Sequence, residues 1–233
     1  MEKVTVLGAG SWGTALSMVL AENGHDTLLW TNRAEQAREI NEQHTNSQYI
    51  NNIKLPENLK ATTDLSVAAN HGDTLVVAVP TKAIREVCSK LNDVLQKEKL
   101  FVHVSKGIEP DTLLRISEFM KETLKPELLS NLVVLSGPSH AEEVVLQHPT
   151  TVSAACENLQ AAEKVQDLFM NHYFRVYTND DVLGVEIGGA LKNVITLAVG
   201  VAEGIGYKVN TVSYVITEGL REIKGCENSL KLW

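Results

Sequence analysis

At 233 residues the chain can bury one large core or two modest ones, and its 44% hydrophobic and 21% charged residues are ordinary for a soluble globular protein. A net charge of −8 excludes nucleic acid or an anionic membrane as the main partner, since both attract basic surfaces, but is compatible with a local basic pocket for a small anion.

In chain order, Met1-Glu2-Lys3 leads straight into a strand pattern, so no secretory signal is expected and the cytoplasm is the expected location. Short apolar runs at residues 4–7, 27–30, 74–79, 100–104, 132–135, 151–155 and 174–177 read as strands. Several are nearly continuous Val, Leu and Ala, the pattern of strands buried on both faces. Amphipathic stretches at 12–23, 82–95, 112–123 and 159–170 fall between them. This alternation predicts an α/β fold, a Rossmann-type doubly wound and mostly parallel sheet. After Tyr177 the pattern changes. Thr178-Asn179-Asp180-Asp181 offers helix caps, and a long apolar helix pattern runs to about Ala202, with a second at 211–223 beyond the Gly204/Gly206 break. The expected division is 1–179 for the first domain and 180–233 for an all-helical second one. The longest apolar run, 194–202, is too short to span a bilayer, so no membrane insertion is expected. Cys88, Cys156 and Cys226 are odd in number and widely spaced; they are expected to be reduced, small buried hydrophobes, and no metal is expected.

Gly8-Ala9-Gly10-Ser11-Trp12-Gly13 has G-x-G-x-x-G spacing, weak by itself but here between a strand and a helix. In that setting Gly8 permits the tight turn, Gly10 admits a pyrophosphate to the backbone, and Gly13 lets helix and strand pack closely. The pattern predicts a dinucleotide site. The second strand ends Trp30-Thr31-Asn32-Arg33, without the carboxylate that NAD sites usually place on the ribose. Arg33 can pair with a 2′-phosphate instead, which favours NADP over NAD, although Glu35 is close by. Three further segments follow strands at their carboxyl ends: Val79-Pro80-Thr81, Ser105-Lys106-Gly107 and Ser136-Gly137-Pro138-Ser139. A lysine at a strand tip, Lys106, suits a phosphate or an alkoxide oxygen. Lys192, in Gly188-Gly189-Ala190-Leu191-Lys192-Asn193, sits on an apolar helix. Spacing alone leaves it equally a desolvated proton carrier or a side chain that reaches water.

Together, the glycine turn with Ser11-Trp12, His44-Thr45-Asn46 with Tyr49, Ser105-Lys106-Gly107-Ile108-Glu109, Ser136-Gly137-Pro138-Ser139 and the 188–193 segment resemble bacterial NAD(P)-dependent glycerol-3-phosphate dehydrogenase. The resemblance implies that Ser11, Trp12, Asn32, Arg33, Tyr49 and Ala141 contact the cofactor. It places Lys106 between cofactor and substrate, Gly137 and Ser139 beside the substrate, Lys192 as proton carrier and Asn193 next to it. The implied reaction is hydride transfer between the nicotinamide and C2 of dihydroxyacetone phosphate or sn-glycerol 3-phosphate, supplying phospholipid synthesis by reduction. After Gly206 the family's Gly-Asp-Asn-Ala-Lys and Thr-Arg-Gly give way to Lys208-Val209-Asn210-Thr211-Val212 and Thr217-Glu218-Gly219, and residues 224–233 resemble nothing in the family. The family's phosphate-binding Arg has no match before Trp233, so a C-terminally shortened substrate domain is expected. That leaves two readings: an active oxidoreductase, completed by homo-oligomerisation through its apolar helical face, and a cofactor-binding fragment with little catalysis. A third, another Rossmann dehydrogenase such as a ketopantoate reductase or hydroxyacid dehydrogenase, is at odds with the ordered motifs.

Overall fold

Residues 1–230 are described by a computed structural model of the chain. Eight strands form one sheet in the order β3-β2-β1-β4-β5-β6-β7-β8. They are β1 (Lys3–Leu7), β2 (Asp26–Trp30), β3 (Lys60–Thr62), β4 (Thr74–Val77), β5 (Lys99–His103), β6 (Leu129–Ser136), β7 (Thr150–Ala155) and β8 (Phe174–Asn179). Every pairing is parallel except β6 with β7. The strand order reverses at β1, which pairs with β2 on one side and β4 on the other. In open α/β sheets that switch point opens a crevice at the carboxyl ends of the strands.

The helices are α1 (Ser11–Glu22), α2 (Ala34–Gln43), α3 (Leu65–His71), α4 (Thr81–Val94), α5 (Ile116–Thr123), α6 (Ala141–Val145), α7 (Leu159–Phe169), α8 (Val182–Gly204) and α9 (Val209–Leu230). Two apolar cores result, one on each face of the sheet. All residues of β4 and β5 are buried, as the continuous apolar runs predict. Leu16, Val19 and Leu20 anchor α1 with no exposed surface, each stabilising the fold by roughly 2 kcal/mol.

Several boundaries differ from the sequence reading. The strand expected over 74–79 ends at Val77; Ala78 still donates to the Leu7 carbonyl, but Val79 and Pro80 turn the chain into α4. The helix expected from Thr112 begins only at Ile116. Gly107 and Leu113 have φ of 119° and 61°, values no α-helix accommodates, and an Ile108–Arg115 bridge closes the intervening turn. The elements β3, α2, α3 and α6 escape the periodic patterns because they are short or mostly polar. Cys88 and Cys156 are buried and free, whereas Cys226 on α9 is exposed, contrary to the expectation. One helix among the described residues, α8, is long and apolar enough to cross a membrane. Its most apolar window has a mean hydropathy of 1.6, with 11% of that window buried. The run at 194–202 is therefore part of a longer apolar helix, because Gly188, Gly189 and Lys192 do not interrupt it. Of the stretch 224–233, the last three residues lie outside those described.

Candidate functional site

The glycine turn lies over the crevice between β1 and β4. Gly8 takes φ of 115°, and a Cβ there would stand 2.7 Å from the Ala78 carbonyl oxygen. At Gly13 a Cβ would stand 1.9 Å from the Gly8 carbonyl oxygen, so only glycine lets α1 pack onto the turn. Gly10 is different: nothing lies within 4 Å of its missing Cβ. No protein atom requires a glycine there, and the space it leaves faces the cleft. Gly10 also caps α1 without a side-chain acceptor, so the first-turn N–H groups are left to an anion.

Polar side chains brace this turn from behind. Gln36 on α2 donates to the Ala9 carbonyl at 2.7 Å, and Asn46 donates to the same oxygen at 3.0 Å and to Thr14 Oγ1 at 2.8 Å. Thr31 donates to Gln36 Oε1, and Ser11 Oγ to the Tyr49 carbonyl at 3.1 Å. Gln36 escaped the sequence reading because a lone amide on a polar helix carries no pattern.

The cleft has a volume of about 780 Å³. Gly8, Gly10, Ser11, Trp12, Asn32, Arg33, Tyr49, Lys106, Ser139 and Ala141 all line it, bringing together residues from five separate segments, whereas Gly137, Lys192 and Asn193 do not line it. Gly13 lies beneath the turn and does not line it. Arg33 Nη1 donates to Gln48 Oε1 at 2.7 Å, and both residues border a second, smaller hollow with Glu35 and Glu39. Glu86 and Lys90 of α4 add charge to the wall and went unnoticed in the sequence, where they lie within an amphipathic stretch.

At the far end, Lys106 follows β5 and its Nζ donates to the Gly137 carbonyl at 3.0 Å and lies 3.5 Å from Ser139 Oγ. Thr81 Oγ1 donates to the Lys106 carbonyl at 3.2 Å, and Ser105 Oγ to that of Val79 at 2.7 Å, which holds the strand tip against the head of α4. Gly137 is seated where a Cβ would meet the Thr151 carbonyl oxygen at 2.8 Å. Gly189 brings α8 onto this corner, since a Cβ there would be 2.9 Å from Ser136 Oγ and 3.7 Å from the Lys106 side chain. Burial lowers the Lys106 pKa from its ordinary value, and the charge of Lys192 lowers it further. Lys192 itself is only partly buried, with Nζ donating to Asn193 Oδ1 at 2.7 Å. Lys106 is thus an ammonium that burial destabilises.

A family model for the N-terminus of NAD-dependent glycerol-3-phosphate dehydrogenase matches residues 3–162, and one for its C-terminus matches residues 181–231. The second match takes in most of the stretch for which the sequence motifs gave no counterpart. The chain is 69% identical to a glycerol-3-phosphate dehydrogenase (NAD(P)+) of Lysinibacillus sphaericus over 223 residues, covering 96% of this chain and 66% of that protein. To the same-named protein of Bacillus subtilis it is 57% identical, covering 96% and 65% respectively. A crystal structure of glycerol-3-phosphate dehydrogenase from Coxiella burnetii superposes with a TM-score of 0.85 at 33% identity, covering 96% of this chain and 67% of that one. The chain spans just under two thirds of the length of the curated relatives it matches.

Proposed function

The chain belongs to the NAD-dependent glycerol-3-phosphate dehydrogenase family, and from that premise we propose that it catalyses hydride transfer between NAD(P)H and C2 of dihydroxyacetone phosphate, forming sn-glycerol 3-phosphate. The observation that carries this reading is Lys106 at the inner end of the cleft, with α8 packed beside it through Gly189 and the charge of Lys192 adding to the cost of charging Lys106. A buried cation under the influence of a second one favours an anion beside it.

The open cradle at Gly10 and the uncapped start of α1 suit a pyrophosphate, with Ser11 and Trp12 beside it and Asn32, Arg33, Tyr49 and Ala141 along the cleft. When bound, the nicotinamide supplies or accepts the hydride. Lys192 gives a proton to the C2 oxygen in reduction and removes it in oxidation. Lys106, already fixed on Gly137, holds that oxygen and offsets its negative charge, with Gly137, Ser139 and Asn193 bordering the substrate. Arg33, with no carboxylate at the tip of β2, favours NADP over NAD.

The chain divides into a dinucleotide unit, 1–179, and a helical substrate unit from 180 onward; the change from β8 to α8 at that point supports it. We read α8 as a helix of the substrate unit, not a membrane span, because Glu186, Ile187 and Ala202 are buried in the protein and Gly189 packs against Ser136. Exposed Leu197, Val201 and Leu220 on α8 and α9 support self-association, which sedimentation tests. The cytoplasm and phospholipid precursor supply fit a reductase of this kind.

The test follows oxidation of NADPH and of NADH with dihydroxyacetone phosphate, with cofactor binding measured in parallel and Lys192→Ala as the control. Saturable cofactor binding without turnover above the Lys192→Ala background overturns the enzymatic reading in favour of a cofactor-binding role alone.

A further inference from the structure

Glu186 is a buried carboxylate that the reaction does not use. Its side chain is 4% exposed, and a carboxylate in such a place persists only when paired. Its partners come from two segments, the end of β5 and the start of α5. His103 Nε2, at the end of β5, lies 3.2 Å from Oε1. Arg115 Nη1 donates to Oε2 at 2.7 Å. Ser117, at the start of α5, donates its backbone N–H to Oε1 at 2.9 Å and its hydroxyl to Oε2 at 2.6 Å.

Each partner has a place relative to Lys106. His103 precedes it by three residues on the same strand tip. Arg115 closes the loop that follows it, through the bridge to Ile108, and its other nitrogen donates to Glu118 Oε1 at 2.7 Å. Glu186 itself lies on α8, the helix that carries Lys192. The two lysines thus belong to separate parts of the chain, which the Glu186 carboxylate ties together beside the packing of Gly189 on Ser136. The apolar seat of α8, Ile187, has no direction of its own and tolerates sliding. Charge-assisted hydrogen bonds are directional and do not.

We infer that Glu186 is a positioning residue: by its hydrogen bonds from Arg115 and Ser117, with the His103 ring in ion-pair range, it fixes the spacing between Lys106 and Lys192. The inference rests on the reading of those lysines as the reacting pair, but part of its test does not need turnover. Burial raises the Glu186 pKa, and the His103 ring and the two Ser117 donors outweigh it, holding the carboxyl at about 2, so the tie is charged throughout the working range. Glu186→Gln keeps the volume but removes the charge and turns an amide donor toward Arg115, Ser117 or His103.

The experiment is NMR titration of the full chain with 13C-labelled lysine side chains, with Lys106→Gln and Lys192→Gln for assignment, alongside steady-state kinetics. In the unaltered chain Lys106 titrates below the ordinary 10.5, and Lys192→Gln moves it upward. Glu186→Gln is expected to move it upward too, as α8 shifts away, with kcat for dihydroxyacetone phosphate falling about tenfold and the cofactor Kd within about twofold. Ser117→Ala, which keeps the ion pair, gives a smaller change of the same sign and decides the matter if Glu186→Gln does not fold. An unmoved Lys106 titration in the folded variant overturns the inference, whatever happens to kcat. Should Lys192→Gln retain full turnover, the assignment of Lys192 as proton carrier fails on its own, while the Lys106 titration in Glu186→Gln still reports on positioning.

Discussion

The Lys106 ammonium donates to the Gly137 carbonyl oxygen at 3.0 Å, joining the tip of β5 to the loop after β6. Two neutral acceptors, this oxygen and Ser139 Oγ at 3.5 Å, do not satisfy an ammonium, which has three N–H bonds to give. The charge is therefore under-solvated, with a second cation, Lys192, nearby.

That relationship predicts proton uptake on anion binding. Burial and Lys192 lower the Lys106 pKa, and an anion between the lysines favours the charged form and raises it again. Between those two values, binding takes up a proton. Calorimetry of phosphate or dihydroxyacetone phosphate binding, in buffers of unlike ionisation enthalpy, should show the uptake growing under alkaline conditions and shrinking in Lys192→Gln. No uptake at any pH up to 10.5 contradicts it.

The glycines should separate by mutation. Gly13→Ala drives a Cβ to 1.9 Å from the Gly8 carbonyl oxygen and should destabilise the fold by roughly 3 kcal/mol. Gly10→Ala meets no protein atom within 4 Å, so stability should stay within about 0.5 kcal/mol while dinucleotide Kd rises about tenfold or more. Chemical denaturation and fluorescence titration distinguish the two; equal stability losses would refute the division of roles.

Arg33→Asp tests the cofactor preference. A charge-assisted contact with a 2′-phosphate contributes about 1.5–3 kcal/mol, so NADPH binding should weaken about tenfold to a hundredfold. NADH binding should change far less. Losses of the same size for both would remove Arg33 as the selector.

The acid limb of stability should carry the signature of Glu186. Its folded pKa of about 2 lies below the ordinary 4.5, so its contribution is complete above 4.5 and is lost as pH falls toward 2. The size is about 3 kcal/mol. Denaturant unfolding across that window should show this loss in the unaltered chain and lack it in Glu186→Gln. Parallel curves for the two would assign the acid sensitivity elsewhere.

The cysteines should differ in reactivity. Burial pushes the Cys88 thiol up to about 12 and also raises Cys156, while Cys226 is exposed. A thiol reagent at neutral pH should modify Cys226 first, and the other two only on unfolding. Prompt labelling of Cys88 would contradict its burial.

The strands on both sides of the switch point were legible because burial on two faces leaves continuous apolar runs. The strand β3 was not, since three residues carry no period. The helix expected from 112 failed at its start, where Gly107 and Leu113 take positive φ for a turn that periodicity does not reveal. In the site, the glycine turn and Lys106 could be read from their places after strands. Asn46 was noticed only through a resemblance, and its bonds to Ala9 and Thr14 became visible only when the loop folded back over the turn.

By itself the sequence determined the alternating architecture, the glycine turn and the lysines at a strand tip and on a helix, since these depend on spacing between near neighbours. Only the tertiary structure decided that Lys106 is desolvated, why Gly189 is small, and how Glu186 is satisfied. Those outcomes join residues 31 apart for Lys106 and Gly137, and 71 apart for Arg115 and Glu186. Desolvation and hydrogen bonding act through space, and a local pattern cannot carry them.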